Sequence, residues 1–275
     1  MNNQKNGGIE YLTHSWNPVT GCLHPCKDKY CYASKIARRF GSTGHEYHGL
    51  HILDRPMYKR TKAGKLMVDP YPFGFEPTFH RYRLDEPAKI KKPSIIGVVY
   101  MGDMFGDFIP DEWIERVFDA CEKAPQHTYI FLTKNPKRYE KVYDLFPEKA
   151  HCLYGTTITC QKDIDNIPND IKPFIDFVSV EPLLGEVNIN DTIYWKRMHY
   201  SYIPGECVMQ PDHETIDKSL SWVIIGTQTG PGAVPPKLEW VQSIIDQCRA
   251  AGVPVFVKSP LYQQFPIQEW PGGLK

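Results

Sequence analysis

From about residue 94 onward the sequence alternates short, nearly all-apolar runs with amphipathic stretches, and this alternation limits the fold more than any other feature. Ser94–Met101 (SIIGVVYM), Thr128–Thr133 (TYIFLT), Cys152–Thr159, Phe174–Val180, Trp222–Gly226 and Val253–Lys258 each have the length and β-branched character of a buried strand. Between them, Asp111–Lys123 sets Trp113, Ile114, Val117, Phe118 and Cys121 on one helical stripe, and Pro136–Leu145 reads as a short helix. Lys237–Ala251 is a third helix, with Gly252 where a left-handed cap is wanted. Strands apolar on both faces and separated by helices predict a parallel sheet covered on both sides, because each parallel connection needs a crossover. A polar residue stands where each strand ends: Asp103, Lys134, Thr157 and Thr159, Glu181, Gln228 and Lys258. That repetition predicts an α/β fold of the partial, TIM-like (β/α)6 barrel kind with a site at its C-terminal mouth. A doubly wound sheet would gather such residues at one switch point instead.

One domain over residues 1–275 is expected, since α/β barrels reach this size as a unit. Within it, residues 10–35 form a cysteine-bearing loop and 94–260 the βα repeats. Residues 41–93, rich in His, Tyr, Pro and basic residues, and 186–220, with little periodicity, read as insertions or lids. The start, MNNQKNGGIE, has no apolar core of a leader, and no run of 18 apolar residues occurs, so a cytoplasmic protein without a membrane partner is expected. Cations and anions number 32 each, which excludes a polycation that grips nucleic acid through its average field. The charge is uneven, however. Lys35, Arg38, Arg39, Arg55, Lys59, Arg60, Lys62 and Lys65 face only Glu46 and Asp54 in the same stretch, so 35–65 is either a solvated face or a basic flap whose Tyr47 and Tyr58 stack bases.

Three of the eight cysteines, Cys22, Cys26 and Cys31, fall within ten residues, with spacing Cys-x3-Cys-x4-Cys. In a reducing compartment such a group reads as a metal or cofactor site. Three thiolates leave one iron of a [4Fe–4S] cluster open to a small molecule. A structural zinc ion would want a fourth ligand, which His24 could supply, and unliganded thiols are the third reading. Cys121, Cys152, Cys160, Cys207 and Cys248 stand alone in apolar surroundings and read as small buried hydrophobes. Gly226–Gly232 (GTQTGPG) is either a tight turn that needs glycine or a loop whose amides approach an anionic or adenine-bearing ligand.

The segment NPVTGCLHPCKDKYCYA (Asn17–Ala33) resembles the cluster loop of the radical S-adenosylmethionine enzymes, and is most similar to the branch that includes spore photoproduct lyase. Asn17, Pro18, Gly21, Cys22, His24, Cys26, Tyr30, Cys31 and Tyr32 match that branch. Lys27-Asp28-Lys29 departs from it, with three residues where the pattern has one. The blocks HSWNPVTGC, RLDEPAKIKKP, MGDMFGDFIPDEWIERVF, LTKNPKR, VSVEPLLGEV, WVIIGTQTGPGA and WVQSIIDQCRAAGVPVFVKS are similar to a phage-encoded and bacterial family of unknown function that carries a three-Cys motif. The resemblance implies a barrel of the radical S-adenosylmethionine type and a [4Fe–4S] cluster on Cys22, Cys26 and Cys31. It also implies S-adenosyl-L-methionine as cofactor, with Tyr30, Gly102, Asp103, Thr157, Thr159, Glu181 and Gln228 about it and Lys134, Glu181 and Lys258 as catalytic candidates. A flavodoxin- or ferredoxin-type electron donor follows, and the lesion-repair branch points to a nucleic acid or nucleotide as substrate. The extended Lys27–Lys29 loop favours a second reading, a non-catalytic nucleic-acid- or partner-binding barrel with a structural zinc or iron–sulfur loop. A third is an enzyme that cuts another bond of the sulfonium.

Overall fold

The computed structural model describes residues 1–4, 8–41, 48–202, 209–218, 220–230 and 232–274. The chain divides into two compact units, Met1–Thr157 with Gln228–Ala233 and Leu274, and Ile158–Thr227 with Val234–Gly273.

In the first unit β1 (His14–Trp16), β2 (Ile95–Val98), β3 (Thr128–Thr133) and β4 (His151–Ile158, whose last residue begins the second unit) lie side by side in that order, all parallel. Ser15 stands opposite Gly97, Gly97 opposite Ile130, and Ile130 opposite Leu153. Three helices follow strands β1 to β3: α1 (Tyr32–Phe40), α2 (Asp111–Glu122) and α3 (Lys137–Lys141). The stripe expected on α2 is the buried one, with Trp113, Ile114, Val117, Phe118 and Cys121 all inside. An aromatic cluster fills the space beneath: Phe105 meets Tyr139 edge-on at 4.7 Å and Phe118 meets Phe131 at 5.4 Å. Each such pair adds about 1 kcal/mol to its burial.

Strand β1 has no counterpart among the expected strands, because three residues, HSW, carry no readable period. Its place is fixed by Trp16, which is fully buried and donates its indole N–H to the Arg83 carbonyl at 2.9 Å. The described part of the insertion, residues 48–93, is arranged around the same point. Thr78–His80 pairs antiparallel with Val19–Thr20 and parallel with His51–Leu53, and Tyr58–Arg60 pairs antiparallel with Leu66–Val68 in a separate hairpin.

The second unit holds α4 (Gln161–Asp165), β5 (Phe177–Val180), β6 (Trp222–Ile225), α5 (Leu238–Ala251) and β7 (Val255–Val257). Strands β5, β6 and β7 are parallel neighbours, with Val178 opposite Val223 and Val223 opposite Val255. Gly252 takes φ +61° at the end of α5, and its N–H returns to the Arg249 and Cys248 carbonyls, as its position predicts. The 186–220 insertion forms a hairpin, Tyr194–Tyr202 against Met209–Lys218, with a register shift at His199/Tyr200. Both units are therefore α/β with mostly parallel strands. Among the described residues no helix is long and apolar enough to cross a membrane.

The scattered cysteines divide. Cys121 and Cys248 are buried core residues, and burial pushes the Cys248 thiol up to about 12. Cys152 is half-buried on β4, and Cys160 is half-buried as the N-cap of α4, where it and Asp163 form a reciprocal capping box. Cys207 lies outside the described residues.

Candidate metal centre

The cysteine loop leaves the C-terminal end of β1, the edge of a parallel sheet where sites are built. Its entry is pinned from two sides. Asn17 accepts the Met101 N–H on its side-chain oxygen at 2.9 Å, while its carbonyl accepts from Arg83 Nη1 at 2.9 Å. Gly21 donates its N–H to the Met101 carbonyl at 2.9 Å and forms a parallel bridge with Gly102. Gly21 has φ +87°, and a Cβ there would lie 2.2 Å from the Glu76 carbonyl oxygen, so only glycine fits between the loop and the insertion. The insertion also accepts the Cys22 N–H on Phe75 O at 3.0 Å and donates the His80 N–H to Pro18 O at 2.7 Å. Residues 73–80 thus brace the cysteine loop, which a lid would not do. Across from the loop Val99 holds φ +58°, a costly state for a β-branched residue, at the turn that follows β2.

The two extra residues do not unravel the cysteine loop. Pro25–Asp28 forms one turn of 3-10 helix, and the Cys31 N–H returns to the Cys26 carbonyl at 3.3 Å. The extension is a closed turn whose Asp28 ion-pairs with Arg38 of α1 at 2.6 Å on the surface. Cys31 then caps the start of α1. The Cys26 thiol donates a hydrogen bond to the Cys31 sulfur, which brings Cys31 down to about 6 and pushes Cys26 up; the Ser34 and Ala33 amides and Lys134 also favour the Cys31 thiolate. Burial, and next the Asp103 charge, pushes Cys22 up to about 12. Each of the three sulfurs feels at least one other and feels Lys134, whose ammonium lies 5.7 Å from the centre of the Tyr30 ring. Among the described residues no group of three or more His, Cys, Asp or Glu side chains closes on a single metal ion.

Asp103, on the loop after β2, is 4% exposed and has four donors. Thr133 Oγ1 and the Phe105 N–H donate to Oδ1 at 2.7 and 3.0 Å; the Lys134 N–H and His24 Nε2 donate to Oδ2, both at 2.9 Å. A carboxylate only accepts, so His24 carries its proton on Nε2 and spends it on Asp103. The ring meets Phe108 edge-on at 5.5 Å. Asp103 therefore ties the cysteine loop to the ends of β2 and β3. Sequence reasoning singled out Asp103 and Lys134 but missed this link, and missed Thr133, Arg83 and His80. The Asx turn onto Phe105, two residues on, was the one local signal available.

In the second unit Glu181 and Lys258 follow β5 and β7, and the Lys258 ammonium lies 2.6 Å from both carboxylate oxygens. Gly226, which ends β6 between them, makes room: a Cβ there would lie 2.6 Å from Glu181 Cδ. Thr159 gives its N–H and its hydroxyl to Asp163 Oδ2 at 2.7 and 2.6 Å, so this side chain closes the N-terminus of α4. Thr157 is half-buried near the end of β4, and Gln228 half-buried in the glycine-rich loop. The candidates thus fall into two sets. Tyr30, Gly102, Asp103 and Lys134 gather about the cysteines, and Glu181 and Lys258 form a pair within the other unit.

No curated protein and no solved structure matches the chain. A family model described as "Protein of unknown function (DUF5131)" matches residues 6–264. With nearly its whole length covered, the chain belongs to the DUF5131 family.

Proposed function

We propose that the protein is a radical S-adenosylmethionine enzyme that holds a [4Fe–4S] cluster on Cys22, Cys26 and Cys31 and acts on a nucleic acid or nucleotide, within a barrel of the kind that superfamily uses. The observation that carries this reading is the closed turn Cys26–Cys31, which sets three thiols on one loop at a strand's C-terminal end beside a lysine. The donor set fits the group. Three cysteines on one loop are the donor set such a cluster uses, and they would leave its fourth iron open to a small molecule. When bound, the cluster supplies the electron that cleaves S-adenosyl-L-methionine to methionine and a 5′-deoxyadenosyl radical.

The chain's own residues hold and shield. Lys134 offsets the thiolate charge, and Tyr30 covers the lysine. Asp103 fixes the loop, and Gly102 lets the turn after β2 pack directly on Gly21 of the cysteine loop, where a Cβ would lie 2.6 Å from the Gly21 carbonyl oxygen. Glu181 and Lys258 form a pair of opposite charges in the other unit and, with Thr157 and Gln228, are candidates for polar groups of the cofactor or substrate by the same resemblance alone. Thr159 already donates its hydroxyl to Asp163 and keeps only lone pairs for a further partner. A flavodoxin- or ferredoxin-type donor supplies the reducing equivalent. Substrate class rests on the likeness to the lesion-repair branch.

The test is product analysis. Reconstituted, dithionite-reduced protein should convert S-adenosyl-L-methionine to 5′-deoxyadenosine, and Cys22→Ala, Cys26→Ala and Cys31→Ala should each abolish the conversion. Unchanged turnover in Cys31→Ala defeats the assignment.

A further inference from the structure

The hairpin Tyr58–Arg60/Leu66–Val68 belongs to no site described so far. A two-stranded hairpin is marginal by itself and is ordinarily covered on one face. Here Tyr58 is paired with Val68 and Arg60 with Leu66, so these four side chains share one face, and all four are exposed. Tyr58 is 58% and Leu66 57% exposed. On the other face Met67 is exposed too, while its partner Lys59 is turned inward, bonded to the Phe40 carbonyl and paired with Asp69. Residues 55–68 hold five cations, Arg55, Lys59, Arg60, Lys62 and Lys65, and no acid, in a chain whose net charge is zero.

We infer that this hairpin is a docking surface for a single-stranded stretch of nucleic acid. The charge selects a polyanion. The apolar groups select one that carries stackable faces, since unpaired bases lie against Tyr58 and Leu66 on their shared face while Arg55, Arg60, Lys62 and Lys65 meet phosphates. An anionic lipid surface would want cations and apolar groups on separate faces, whereas Arg60 stands between Tyr58 and Leu66 on one face. The position agrees. Lys59 fastens the hairpin to Phe40, the last residue of α1, and Arg39 lies over the Phe40 ring at 5.1 Å. Helix α1 begins directly after Cys31 and has nine residues, so it spans about 13 Å from the cysteine loop to the hairpin's base. Helix α1 therefore links the hairpin's anchor at Phe40 directly to the cysteine loop of the proposed radical centre. The inference rests on the radical-enzyme reading for this last step alone.

The test is fluorescence anisotropy of a labelled single-stranded oligonucleotide, its duplex, and phosphatidylserine vesicles as a pelleting control, on full-length protein without S-adenosylmethionine and with or without iron. Single strand should bind most tightly. The variant Arg60→Glu/Lys62→Glu/Lys65→Glu should weaken binding at least tenfold and flatten the slope of log K against log salt by about 2, at roughly 0.7 per lost phosphate contact. Tyr58→Ser should weaken binding several-fold and leave the slope as it was, which keeps the test alive if the triple variant does not fold. No binding by the native protein, preference for duplex or vesicles, or native-like binding by both variants would overturn the inference. Because S-adenosylmethionine is left out and binding is read without iron as well as with it, its failure and failure of the radical chemistry are separately visible.

Discussion

Two carboxylates close strand ends in this chain, one in each unit, and they are built to opposite standards. Asp103 is almost fully enclosed, and donors from four residues of its own unit engage both of its oxygens. Glu181 is a quarter exposed at its side chain, and Lys258 takes both oxygens. A buried acceptor with four donors is expensive to disturb, because each donor left behind is desolvated and unpaired. An ion pair whose side chains are 17% and 25% exposed keeps some contact with water, and opens at less cost than an acceptor with four buried donors. The difference teaches that Asp103 fixes geometry, while the Glu181–Lys258 pair is held less firmly.

The largest expected effect is therefore Asp103→Ala. It strands the Thr133 hydroxyl, two backbone amides and His24, and should lower unfolding stability by about 3 to 5 kcal/mol in urea. A loss no greater than that of a surface Asp→Ala would erase the contrast. Next comes pH. Burial, aided by the Arg83 charge, holds the His80 imidazole down to about 3 from its ordinary 6.5. Above 6.5 both states are neutral and nothing is gained or lost. As pH falls from 6.5 towards 3 the unfolded chain takes up a proton that the folded chain refuses, so stability drops, by about 2 to 3 kcal/mol between about pH 7 and about pH 4.5. His80→Gln should remove that slope, and a slope that persists would show that His80 is not its source. Gly226→Ala comes third, since its methyl meets the Glu181 carboxyl carbon at 2.6 Å. A cost of about 1 to 2 kcal/mol is expected from displacing Glu181, and adding Glu181→Gln should then cost nothing more. The smallest effect is the Glu181/Lys258 coupling itself, at most about 1 kcal/mol in a double-mutant cycle. A coupling of several kcal/mol would make this pair structural, like Asp103.

The same contrast marks what was legible in the sequence. Strands β2, β3 and β6 and helices α2 and α5 announced themselves, because their periods are long enough to read and their cores are apolar. The cysteines did too, through residue type and spacing. Strand β1 did not, since three residues have no period and Trp16 owes its burial to packing that only the folded chain displays. The brace was hidden for another reason: His24 and Asp103 are 79 positions apart, and Val19–Thr20 pairs with Thr78–His80 across the whole insertion. Thr159 shows the reverse case. It suggested a ligand contact, yet Asp163, four residues on, competes for its hydroxyl, as capping residues at that spacing do. Lys27–Lys29 suggested a disturbed loop, and backbone bonds within the turn absorb the extension.

The central claim is that the three thiols jointly hold an iron–sulfur group. The direct measurement is iron and sulfide content, with the electron paramagnetic resonance spectrum, after anaerobic reconstitution and dithionite reduction. The account predicts about four irons and four sulfides per chain, a reduced-cluster signal that shifts when S-adenosylmethionine is added, and loss of that signal in Cys22→Ala, Cys26→Ala and Cys31→Ala. A colourless protein that retains one zinc per chain, or a cluster that survives all three substitutions, would contradict it.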